Sequence, residues 1–122
     1  MKELIEKLRS IEINLSKKKG RFTLFGLFQS ENTGDKWDLL IAAPWININD
    51  TGTLKLIATS VQEALTPEEI VMIQRIALID DKNPALNALQ MSIHAEHGGA
   101  EFVNCNFFGF LITHAFIITS QK

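Results

Sequence analysis

Phe22-Thr23-Leu24-Phe25-Gly26-Leu27-Phe28, then the polar run Ser30-Glu31-Asn32-Thr33-Gly34-Asp35-Lys36, then Trp37-Asp38-Leu39-Leu40-Ile41-Ala42-Ala43 decide the fold class. Phe22, Leu24 and Phe28 fall on one side of an extended chain, and Phe25 and Leu27 on the other. The segment therefore reads as a strand covered on both faces, or covered on one and used in an interface on the other. A polar loop and a second strand make the pair an antiparallel hairpin with a loop longer than the tightest kind. Pro44 ends it.

Working outward from the hairpin, Leu4, Ile5, Leu8, Ile11 and Leu15 recur at the spacing of an amphipathic helix, with Gly20 as its stop. Downstream, Asn47 to Gly52 is rich in turn and cap residues, and Leu54, Ile57, Val61 and Leu65 mark a second helix. Thr66-Pro67-Glu68-Glu69 has the pattern of a capping box with proline in the first turn, opening a short helix. Arg75 to Ile79 is a buried-strand pattern ending in Asp80-Asp81, and Asn83-Pro84 opens a helix carrying Leu86, Leu89 and Ile93. Two more strands follow, Glu101 to Phe108 and Phe110 to Thr119, with Gly109 allowing a bend. The order is α-β-β-α-α-β-α-β-β. This predicts one α+β domain over residues 1–122, with a mixed sheet of about five strands and helices mainly on one face. The chain between the second and third strands is long enough for a parallel crossover.

Composition narrows the class. The 122 residues are 46% hydrophobic and 21% charged, which suits a globular domain and excludes a disordered or collagen-like chain. Cys105 is the single cysteine, so no internal disulfide can form. Acidic residues interrupt the N-terminal stretch where a signal peptide needs an apolar run. The longest apolar segment, residues 39–46, contains Pro44 and is far short of the about 20 residues of a spanning helix. The expectation is a cytoplasmic protein with no membrane contact.

Net charge is −2, too small to imply a polyionic partner. Residues 1–36 nevertheless hold eight Lys/Arg against five Asp/Glu, concentrated in Lys17-Lys18-Lys19-Gly20-Arg21. That cluster could touch nucleic-acid phosphates. Cations before a helix-ending glycine are also what the helix dipole favours, and no nucleic-acid motif accompanies them.

Candidate chemistry lies in two places. His94 and His97 are three apart, as two metal ligands on one helical turn would be, with His114 or an acid as a third ligand. The plainer reading puts His94 and His97 at a helix end before Gly98-Gly99. His114 runs in phase with Phe110, Ile112, Phe116 and Ile118, as a hydrogen-bonded core histidine would. Asp80 and Asp81 end the third strand, where open α/β sheets place ligand crevices and where paired carboxylates can hold Mg²⁺ with phosphates. Trp45, Asn47, Asn49 and Asp50 share that edge if the second and third strands are parallel. The same acids serve equally well as turn residues.

Several motifs fail. A calcium loop counted from Asn47 puts Ala58 where a glutamate is needed. Asp38 has no Glu-x-Lys on a following strand, as a nuclease would require. A phosphate-binding loop, a nucleotide-binding glycine fingerprint, a nucleophile elbow and a Cys-x-x-Cys are all absent. Cys105 beside His114 reads as a small buried hydrophobe more readily than as a nucleophile. No cofactor is implied.

Residues 36–45, 75–79 and 106–109 (Lys36 to Trp45, Arg75 to Ile79, Asn106 to Gly109) resemble a set of small bacterial proteins of unknown function. The resemblance implies a free-standing bacterial domain and carries no activity. The residues themselves lead to a non-catalytic protein that works by binding, as a homodimer or with a protein partner. Phe102, Phe107, Phe108, Phe110 and Phe116, with Phe25 and Leu27, are its surplus apolar surface. The alternative is a metal-dependent phosphoester hydrolase using Asp80, Asp81 and the histidines. Nucleic-acid binding through Lys17 to Arg21 comes third.

Overall fold

The computed structural model describes residues 1–31, 34–107 and 110–121, with the side chains of Phe107 and Phe110 outside that description. Nine elements follow in the expected order: α1 (Lys2–Lys19), β1 (Leu24–Ser30), β2 (Trp37–Ala42), α2 (Thr51–Ala64), α3 (Pro67–Ile70), β3 (Ile73–Leu78), α4 (Pro84–Ser92), β4 (Ala100–Phe107) and β5 (Phe110–Ser120). The five strands form one mixed sheet in the order β3-β2-β1-β5-β4. β1 pairs antiparallel with β2, β2 pairs parallel with β3 across α2 and α3, and β4 and β5 close the other side antiparallel.

The helix boundaries follow from local chemistry. Gly20 ends α1 at φ 127°, its N–H reaching Ser16 O, and the last turn carries Lys17, Lys18 and Lys19 against the helix dipole. Asp50 caps α2 by accepting from the Gly52 N–H. At α3 both halves of the capping box are made, Thr66 with the Glu69 N–H and Glu69 with the Thr66 N–H. Asn83 caps α4 through the Ala85 N–H, with Pro84 in the first turn.

Apolar residues lie on both faces of β1 and β2 because both faces are covered. Leu4, Leu8, Ile11 and Leu15 of α1 and Ile57 and Val61 of α2 pack on Phe25, Leu27, Trp37, Leu39 and Ile41. On the opposite face Leu86 and Leu89 of α4, with Ile93, cover Leu24, Phe28, Leu40, Ala42 and Ile117. Three helices thus lie on one face and α4 on the other. Leu54, expected on the buried stripe of α2, is exposed, whereas Ile57, Val61 and Leu65 are buried.

Two extra residues in β5 disturb its alternation. The β1–β5 register passes from Phe25↔Thr119 to Gly26↔Ile117, and from Gln29↔His114 to Ser30↔Ile112. Ile118 and Thr113 are left over, as in a β-bulge. Ile112 consequently joins the α4-side core with Ala115 and Ile117, whereas Phe116 and Ile118 pack on the α1 side. The single face expected for Ile112, His114, Phe116 and Ile118 does not exist. Gly26 sits between these bulges because a Cβ there would lie 3.0 Å from Phe116 O and 3.3 Å from Ile117 Cα.

Phe25 and Leu27 are corrected as interface candidates: each is wholly buried within the one chain. The reason is the α1–α2 layer, which covers their side of the sheet completely. The chain exposes 6626 Å², close to the roughly 6,600 Å² of a compact monomer of this mass.

Candidate functional site

The carboxyl edge of the parallel pair, where Asp80, Asp81, Trp45, Asn47 and Asp50 were expected to make a polar rim, is occupied by structural work. Asp80 closes a turn by accepting from the Lys82 N–H at 3.0 Å. Asp81 accepts from the Thr23 hydroxyl at 2.5 Å, tying the end of β3 to the start of β1. Asn47 accepts from the Asn49 N–H, and Asp50 caps α2. Trp45 stacks edge-on against Phe22 with ring centroids 5.4 Å apart. Its indole N–H is shared between Gly20 O at 2.9 Å and Arg21 O at 3.1 Å. A cleft of about 350 Å³ does open beside Trp45, Asp50 and Lys19, but the Asp50 carboxylate already caps the helix end that faces it. Lys17, Lys18 and Lys19 are exposed around the end of α1.

The histidines are dispersed. α4 ends at Ser92, and Ile93 is already extended at φ −129° and ψ 122°, so His94 and His97 share no helical turn. The alternative that pairs their rings on one face is thereby corrected, and so is the plainer placement of both on a helix end. His94 is exposed. His114 places Nε2 2.5 Å from Glu101 Oε2, and its ring lies 5.2 Å from Trp37 and 4.7 Å from Phe116. Among the described residues, no three His, Cys, Asp or Glu side chains gather as a metal site. Asp80 and Asp81 thus have no imidazole beside them.

His97 is the histidine with a built environment. After α4 the chain runs along the end of β5: Ala95 and Ser120 exchange both backbone hydrogen bonds, and the Gly98 N–H reaches Ile118 O. His97 lies within this run at φ 54°, a left-handed conformation that costs a residue with a Cβ about 1–3 kcal/mol. The turn aims its ring at α1. There Glu12, wholly buried, places Oε2 2.5 Å from His97 Nδ1. The second carboxylate oxygen, Oε1, accepts from the Thr119 hydroxyl at 3.0 Å. That hydroxyl in turn accepts from the His97 backbone N–H at 3.3 Å. Helix, connecting segment and strand therefore meet in one closed polar cluster. A buried carboxylate is costly unless both its oxygens are satisfied, and here both are.

A second buried carboxylate is less well served. Asp38 is the second residue of β2; its Oδ2 is 3.2 Å from Arg75 Nε, and its buried Oδ1 has no hydrogen-bond partner among the described residues. Arg75 is 63% exposed, so water competes for the pair.

Neither Glu12 nor Thr119 stood out in the sequence, although Glu12 did carry a signal. It continues the Leu4, Leu8 spacing by one more step of four, which places a carboxylate on the apolar stripe of α1.

The interface candidates divide. Phe102 is half-buried against the α4-side core, and Phe116 is half-buried beside Trp37 at a centroid distance of 5.5 Å. Phe108 and the side chains of Phe107 and Phe110 lie outside the described residues. Among the described side chains of this hairpin, Val103 at 59% and Leu111 at 43% are the exposed large apolar ones. Val103 faces His114 across the ladder, and Leu111 faces Asn106. Cys105 is a half-buried free thiol that points to Val103 O at 3.4 Å. No described helix is long and apolar enough to cross a membrane.

Comparison with protein-family models, curated proteins and solved structures gives no match.

Proposed function

We propose that this protein acts by binding another protein surface and not by catalysis, with a second copy of itself as the partner. The surface is the free edge of β4 together with Leu111 of β5. The observation that carries this reading is Val103, an aliphatic side chain 59% exposed on a terminal strand of the sheet. An edge strand presents a row of N–H and C=O groups that another strand can pair with. Two identical edges meeting about a two-fold axis need only this one patch, because such an interface is self-complementary. A net charge of −2 opposes the approach of two copies weakly.

Light scattering over a range of concentrations tests it. The expected result is a dimer that Val103→Lys and Leu111→Lys each convert to monomer with an unchanged circular dichroism spectrum. A wild-type chain that stays monomeric at the highest concentration overturns it.

A further inference from the structure

Glu12, His97 and Thr119 have no part in the binding surface, yet they form a closed polar cluster that joins α1, the segment after α4 and β5. A carboxylate only accepts hydrogen bonds when ionised, so the 2.5 Å contact puts the ring proton of neutral His97 on Nδ1. Nε2 then carries the lone pair. The side chain is 37% exposed, and no described protein group is bonded to Nε2. The ring is held in a left-handed backbone conformation by contacts to α1 and β5.

We propose that His97 is a nucleophilic histidine, a site of reversible modification at Nε2 by phosphoryl donors of the acyl phosphate class. The lone pair of Nε2 forms a bond to phosphorus as the bond from phosphorus to the acyl oxygen breaks. The carboxylate leaves with that electron pair. Nε2 has no proton to lose, so the ring becomes a phosphorylated imidazolium that still shares its Nδ1 proton with Glu12. Positive charge thus develops on the ring during the step, 2.5 Å from a carboxylate that is already in place and shielded from water. A fixed opposite charge where charge develops is what accelerates such a transfer. His94 and His114 lack this arrangement: the former is exposed and pairs with no carboxylate among the described residues, and the latter has its Nε2 occupied by Glu101.

Incubation with acetyl phosphate, followed by peptide mapping under conditions that preserve phosphohistidine, tests the assignment. The exposed His94 serves as an internal control in the unaltered protein. His97 is expected to be phosphorylated at least tenfold faster than His94, and Glu12→Gln is expected to remove that advantage. In that variant the Thr119 hydroxyl still holds the amide oxygen, so the amide nitrogen donates to Nδ1 and moves the ring proton to Nε2. If Glu12→Gln does not fold, nitrogen-15 chemical shifts of the wild-type ring provide the second readout, expected to show a protonated Nδ1 and a bare Nε2. Equal labelling of His94 and His97, no labelling at His97, or a protonated Nε2 in the neutral ring each overturns the proposal.

Discussion

Replacing His97 with alanine removes a half-exposed ring, yet it destabilises the fold through Glu12, 85 positions away in sequence. The substitution leaves the Glu12 carboxylate, wholly buried, with the Thr119 hydroxyl as its remaining donor. Leaving a buried carboxylate without its hydrogen-bonding partner costs at most about 3–5 kcal/mol, the figure for a buried ion pair broken from one side. The His97 side chain is 37% exposed, so water enters the space it vacates, and the expected cost falls to about 2–3 kcal/mol. Glu12→Leu acts differently. It removes the charge, continues the apolar stripe beside Leu8 and Leu15, and leaves the Thr119 hydroxyl and His97 Nδ1 without their acceptor. The ring can turn to water, so about 1–2 kcal/mol is expected, near the cost of one unmade hydrogen bond. The double variant lacks the stranded charge altogether. It should be more stable than His97→Ala alone by about 1 kcal/mol, so the two single costs do not add, as is usual for residues in direct contact. Urea unfolding of all three, compared at constant m, measures this. A double variant less stable than His97→Ala, or a His97→Ala cost below about 1 kcal/mol, would refute the reasoning.

Asp38→Leu should leave stability within about 1 kcal/mol of wild type or raise it, because it removes an oxygen that is buried without a partner; Arg75→Ala should lower it, and thermal unfolding ranks the two. Gly26→Ala should cost about 1–3 kcal/mol in urea unfolding, since the added Cβ meets the backbone of β5, which cannot rotate away. The Lys7 ammonium, followed by the Thr66 N–H, holds the Glu69 carboxyl below the usual glutamate range. Its folded pKa is therefore lower than its unfolded one, so its contribution is complete above the unfolded value and is lost as pH falls through the folded one. Wild type and Glu69→Gln should accordingly differ most near neutrality and converge in acid as pH falls through the lowered folded value; an equal gap at every pH would contradict the Lys7 contact.

Local order was legible because it rests on neighbours in the chain. Thr66 and Glu69 cap α3, and Asn83 and Pro84 open α4, through bonds spanning two or three residues. The two-faced apolar pattern of β1 likewise announced a strand covered on both sides, and the length of chain before β3 allowed the parallel crossover that the register shows. Its reading as an interface failed for Phe25 and Leu27 because the pattern states only that a face is apolar. Whether α1 or another molecule covers that face depends on the packing of distant elements. His94 and His97 failed for a related reason: an i, i+3 spacing means a shared face only while the helix continues, and the chain is extended from Ile93.

The Glu12 cluster shows where sequence reasoning stops and what would extend it. A glutamate in phase with Leu4 and Leu8 must find a donor, since the burial that the stripe imposes is otherwise prohibitive. The partner, 85 positions away, is selected by the register of β5. Plain alternation would send Ile117 and Thr119 to the same face, the one covered by α4. Ile118 is the extra residue in the ladder, and it turns Thr119 to the α1 side, opposite Phe25. There the hydroxyl reaches Glu12 and the His97 N–H together. A one-residue irregularity in a strand therefore assembles the site, and an irregularity of that kind leaves no periodicity to detect.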